Sequence, residues 1–165
     1  MQTPSFFDAV PPIVVVDPLA EALGAAEGGV LEYRYLDAVK LTGHSCPTVA
    51  SAWLMTRAAL ARLYPQGVPR RGEVRVELRQ ALDAGVAGVI ASVATLITGA
   101  ANEGGFKGLA GRFARDDRRD RGVHAPQHQA NGLLELGLLP CGALGTLQPK
   151  RVRRDPSQRP QHHQR

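Results

Sequence analysis

Beyond Arg115, this chain of 165 residues contains no Phe, Tyr, Trp, Ile or Met. That absence limits where a core can form. The stretch 116–165 is dense in Arg, Pro, Gln and His, and only residues 133–139 offer an apolar run that can pack. A segment so composed buries too little surface to offset the entropy lost on ordering. The chain therefore reads as one domain over residues 1–115 followed by a basic tail over 116–165, expected to be mostly disordered. Two accounts fit the tail: a native basic extension, or translation in a wrong reading frame. Arg, Pro, Gln and Gly are what a GC-rich gene yields out of frame.

The first 115 residues carry the patterns of secondary structure. Residues 1–11 read as an irregular leader. Residues 13–16 are a β-branched run, and Asp17-Pro18 places an N-cap and a first-turn proline before a helix over 19–26 that ends at Gly28-Gly29. Residues 30–40, with Tyr33 and Tyr35, read as a strand leading into a turn. A helix is predicted from Pro47 to about Leu63, where Tyr64-Pro65 stops it. Val74, Val76 and Leu78 alternate with Arg75, Glu77 and Arg79, which marks a half-exposed strand. Residues 86–98 are apolar nearly all round, as a central helix should be. Residues 109–115 are expected to begin another strand. The fold class is α+β: a single small domain with a mixed or antiparallel sheet and two main helices. With aromatics at 5%, its core is mostly Ala, Val and Leu.

Charge and composition exclude some functions. The pI near 9.8 suggests nucleic-acid binding, but basic and acidic residues nearly balance through Arg115, and the formal +5 belongs almost wholly to the tail. The folded part has no surplus with which to neutralise phosphates, so no specific nucleic-acid binding is expected. No apolar run reaches the length of a membrane span. The first residues lack the basic and apolar regions of a signal peptide, so a cytoplasmic location is expected. In that compartment Cys46 and Cys141 are not expected to form a disulfide.

One segment concentrates chemistry: Gly43-His44-Ser45-Cys46-Pro47. It lies in a turn immediately before a helix. Helix N-termini carry free N–H groups and partial positive charge, which lower the pKa of a thiol placed there. Thiolate and neutral imidazole are good ligands for zinc and similar divalent ions. Gly43 is read as permitting close backbone approach, and Pro47 as fixing the helix start. His44 and Cys46 are thus the candidate ligands of a divalent metal ion, with zinc the leading candidate. Two ligands do not complete a shell, so donors from elsewhere in the fold or from a second protomer are expected, which makes a homodimer plausible.

The segment resembles the Gly-His-x-Cys-Pro signature of the FmdE-like family, named for a component of formylmethanofuran dehydrogenase. The order of elements after it is also similar across roughly residues 36–112: a helix, a strand bearing Glu77, an apolar helix ending in Thr98-Gly99, and a Gly-rich loop with Lys107. The resemblance implies an α+β fold and a metal site lined by His44 and Cys46, in a family most of whose members have no established reaction. Where that family often reads Thr-Gly-Cys-Thr, this chain has Thr98-Gly99-Ala100-Ala101, and Ser92 stands near a position that is often acidic. A second thiol is therefore missing, and oxygen ligands or water would take its place. The further zinc-finger domain of some members has no counterpart here.

Other features are weaker. Gly104-Gly105-Phe106-Lys107-Gly108 has backbone N–H groups for an anion but lacks the Ser or Thr of a phosphate-binding loop. Glu77 and Glu103 are possible carboxylate donors whose default is a solvated surface. His124, His128, His162 and His163 would chelate metal only as a tag does, and Cys141 receives no role. Two readings compete with metal binding: a thiol enzyme with Cys46 as nucleophile and His44 as base, and a non-catalytic or vestigial interaction protein. Sequence alone does not decide whether the chain is an enzyme.

Overall fold

The computed structural model describes residues 2–78, 80–116, 119–121 and 132–136. The architecture is α+β, as composition and periodicity predict. Strand β1 (Ile13–Val16) is followed by the short helix α1 (Pro18–Ala22) and strand β2 (Val30–Tyr33). β1 and β2 pair antiparallel, with Ile13 opposite Tyr33 and Val16 opposite Val30. Helices α2 (Tyr35–Thr42) and α3 (Pro47–Leu63) come next, then strand β3 (Val74–Leu78) and helix α4 (Ala87–Thr98). Strands β4 (Arg119–Arg121) and β5 (Gly132–Leu136) flank β3, both parallel to it. β5 falls on the one stretch of the tail whose composition allows it to pack. The rest of the tail, with its histidines and Cys141, lies outside the described residues.

The core forms where helical spacing stacks apolar residues. On α3, Val49, Ala52, Trp53, Thr56 and Leu60 are buried and share one face. On α4 the small residues Ala87, Ala91 and Ala94 alternate with Ile90, Val93 and Ile97, all buried, which lets the helix pack closely against α3. Val74, Val76 and Leu78 of β3 complete this core. No helix among the described residues is long and apolar enough to cross a membrane.

Four expectations need correction. The helix expected over 19–26 stops at Ala22, with Leu23 as its C-cap. The strand expected over residues 30–40 ends at Tyr33, and the rest is α2. Its start is fixed by the Asp37 carboxylate, which accepts the Arg34 backbone N–H at 2.8 Å. Tyr35, Ala38 and Val39, spaced for a helix, are all buried. The strand expected over 109–115 is a turn instead, with Leu109 and Arg112 bridged and Ala110 and Phe113 at positive φ. The leader is not wholly irregular. Ser5–Phe7 forms a 3₁₀ turn, and Phe7 is drawn into the core against Tyr35.

A polar cluster ties distant parts of the chain together. Asp17, buried at the N-cap of α1, accepts from the backbone N–H of Leu19 at 2.9 Å and of Ala20 at 3.3 Å. Its carboxylate also pairs with Arg71 at 2.8 Å and Arg115 at 2.5 Å. The Arg71 guanidinium reaches the Leu96 carbonyl as well. Burial pushes the Asp17 pKa up, but hydrogen bonds and charge from Arg115 and Arg71 outweigh it and hold the carboxyl below its ordinary value.

Candidate functional site

His44 and Cys46 meet at the open end of α3 because α2 stops one turn short of it. Gly43 ends α2 in the left-handed conformation, with φ 76° and ψ −2°. Nothing lies within 4 Å of where its Cβ would stand. The glycine is therefore required by its positive φ, not by the close backbone approach expected from sequence. Cys46 is the extended N-cap of α3, and Pro47 takes the first helical position as predicted.

The turn is held by its own hydrogen bonds. The Thr42 hydroxyl lies 2.9 Å from the His44 carbonyl and 2.9 Å from the Ala38 carbonyl. His44 Nδ1 lies 2.9 Å from the Thr42 carbonyl. A carbonyl only accepts, so Nδ1 carries the hydrogen and Nε2 holds the lone pair of the neutral ring. Ser45 Oγ shares a 2.8 Å hydrogen bond with the Tyr35 hydroxyl.

The electrostatics of the pair follow from this arrangement. The Thr42 carbonyl accepting from Nδ1 raises the His44 pKa, and the neighbouring Cys46 adds to the rise. The Cys46 pKa moves down. The Val49 backbone N–H is the largest cause; partial burial opposes it, and the Thr48 N–H and His44 assist. The Val49 and Thr48 N–H groups belong to the open first turn of α3, where they have no partner within the helix and can hydrogen-bond toward the sulfur. His44 is exposed and Cys46 half-buried, which leaves both accessible. Cys46 is in no disulfide.

The other candidates do not converge here. Glu77 lies on β3 and pairs with Arg75 at 3.4 Å. Lys107 donates to the Glu103 carbonyl and to Asp116 at 3.1 Å, contacts made within its own loop and away from His44 and Cys46. Among the described residues, no group of three or more His, Cys, Asp or Glu stands close enough to hold a metal ion. The candidate site is thus His44 and Cys46 alone among those residues.

No family model, curated protein or solved structure matches this chain.

The supporting residues Thr42, Tyr35 and Ser45 are not found by the sequence reading. A strand through Tyr35 would carry that residue away from the turn. The available signal is Asp37, three residues after Arg34 and placed to accept its N–H, together with Gly43 as a left-handed stop.

Proposed function

We propose that this protein binds a divalent metal ion, zinc foremost, through His44 and Cys46, in the manner implied by its resemblance to the FmdE-like family. One observation carries the reading: His44 Nδ1 is committed to the Thr42 carbonyl at 2.9 Å. Metal-bound histidines characteristically donate their second ring N–H to such an oxygen, which fixes the ring and leaves the other nitrogen free to ligate. The downward shift of the thiol pKa favours the thiolate, the form in which cysteine ligates a metal. Both residues are accessible and two apart in sequence, a spacing compatible with one tetrahedral ion that keeps open positions.

A metal held there would supply Lewis-acid or redox chemistry at those positions. The protein's own part is to present one imidazole and one thiolate from a rigid turn. The remaining positions fall to water, to a substrate donor, or to side chains of a second copy in a homodimer. The reading is of a cytoplasmic protein without specific nucleic-acid contacts.

The test is metal content by elemental mass spectrometry on the full chain, with His124, His128, His162 and His163 replaced by Ala. Near-stoichiometric metal, lost in both His44→Ala and Cys46→Ala, is the expected result. A folded protein that takes up no zinc, iron, nickel or cobalt on reconstitution overturns the proposal.

A second reading, Cys46 as a nucleophile with His44 as its base, is favoured by the same anchoring. The Thr42 carbonyl is the third group that a nucleophile–base pair needs for orientation. Rapid stoichiometric alkylation of Cys46 in metal-free protein, abolished by His44→Ala, is its signature. Alkylation that is slow and unaffected by that substitution excludes it.

A further inference from the structure

The hydrogen bonds between Thr42 and His44 shape the turn and tie it to α2. A different contact reaches it from the aromatic core. Tyr35, the first residue of α2, is 4% exposed, and its ring is gripped edge-on by Phe7 at 5.1 Å and Trp53 at 5.9 Å. Trp53 lies on α3, two turns past Cys46 and on the same face. From that fixed ring the hydroxyl reaches Ser45 Oγ at 2.8 Å. Ser45 is the residue between the two proposed ligands, so its side chain is the point at which the aromatic core holds the turn.

We infer that Tyr35 is a positioning residue for the His44–Cys46 turn and that Ser45 is its point of attachment. The inference rests on the proposed use of His44 and Cys46 as a functional pair. An exposed turn would otherwise sample many geometries. The bond to a ring locked in the core holds His44 and Cys46 at one separation, which is what supporting contacts around a site accomplish. It also gives the Ser45 hydroxyl a use: a side chain lacking a hydroxyl there would leave the phenol without its partner.

The test uses the full chain with Cys141→Ser, so that Cys46 is its sole thiol. Two properties are measured. One is the rate of iodoacetamide alkylation of Cys46 in metal-free protein. The other is cobalt(II) affinity, followed by the thiolate-to-cobalt charge-transfer band, which tail histidines do not produce. Tyr35→Phe and Ser45→Ala are each expected to slow alkylation and weaken cobalt binding by about three- to tenfold, the effect of one lost hydrogen bond. The double variant should lose no more than the larger single loss, since both remove the same contact. Leu60→Ala, a buried core substitution toward the far end of α3 and away from Tyr35, is the control. It should lower thermal stability and leave the alkylation rate unchanged. Alkylation at the wild-type rate in Tyr35→Phe, or single effects that multiply in the double variant, overturns the assignment. No cobalt band in the wild type sinks the metal reading alone; alkylation slowed non-additively by the two substitutions would still uphold Tyr35.

Discussion

Two polar clusters in this domain use the same kinds of bond to opposite ends. Around Asp17, two guanidinium groups and two backbone N–H groups converge on one buried carboxylate. Around His44 and Cys46, hydrogen bonds fix the backbone and one ring nitrogen, while His44 stays exposed and Cys46 only half-buried. The first cluster joins segments far apart in the chain: the end of β1, the approach to β3, the end of α4 and the loop reaching Arg115. The second joins neighbours. Burial forces polar groups to satisfy one another, because an unpaired charge in the core is costly. Exposure removes that demand, so a donor atom can remain free for a ligand.

The comparison is broken most easily at the carboxylate. Asp17→Ala leaves Arg115 buried beside no counter-charge and removes the cap of α1. A loss of about 3–5 kcal/mol is expected from urea unfolding, the range for breaking one side of a buried pair. A loss under about 1 kcal/mol would put this cluster on a level with surface ion pairs. The pH dependence follows from the same carboxylate. Its folded pKa lies below its unfolded value, so its contribution is full above the unfolded pKa, about 4. It is lost as pH falls through the folded value. The stability gap between wild type and Asp17→Asn should be flat at neutral pH and close only below about pH 4. A gap that closes between about pH 5 and 7 would contradict the lowered pKa.

Two glycines offer a matched pair. Gly43 ends α2 and Gly99 ends α4, both left-handed, with φ 76° and 72°. A Cβ on Gly43 meets open space, whereas one on Gly99 runs into the Arg115 guanidinium. Ala at Gly43 should cost only the left-handed strain, about 1 kcal/mol. Ala at Gly99 should cost that and the displacement of a buried ion pair, about 3 kcal/mol in all. Equal costs by denaturation would show that Arg115 gives way freely and that the buried cluster is looser than its distances suggest.

Sequence discloses these regions unequally. The Gly-His-x-Cys-Pro segment puts two donors two residues apart, so local chemistry is enough to select His44 and Cys46. Asp17-Pro18 announces a helix start, and the Pro47 start of α3 is equally local. What a lone sequence does not carry is pairing across long separations. Arg115 looks like one more basic residue beside a basic tail, and its bond to Asp17 spans nearly the whole domain. Tyr35 is obscured for another reason. Aromatic and β-branched neighbours favour a strand by propensity, but the Asp37 cap and the burial of Ala38 and Val39 outweigh propensity and wind α2 instead. The turn's support is hidden along with that helix, because a residue assigned to an extended strand has no route back to Ser45.

The smallest expected effect on stability is also the sharpest statement of the difference between the clusters. Cys46→Ser and His44→Ala alter the accessible residues of the second cluster; His44 is exposed and Cys46 lies only at the edge of the core. Each should change unfolding free energy by no more than about 0.5 kcal/mol, as exposed substitutions do, while metal uptake falls to background. His44→Ala leaves the Thr42 carbonyl to water, which can reach it on the surface, so no buried group is orphaned. If either substitution instead lowers stability as Asp17→Ala does, the pair is part of the framework, and its accessibility is incidental. If stability holds and metal binding disappears, the turn costs the fold nothing to alter and its residues are explained by what they bind.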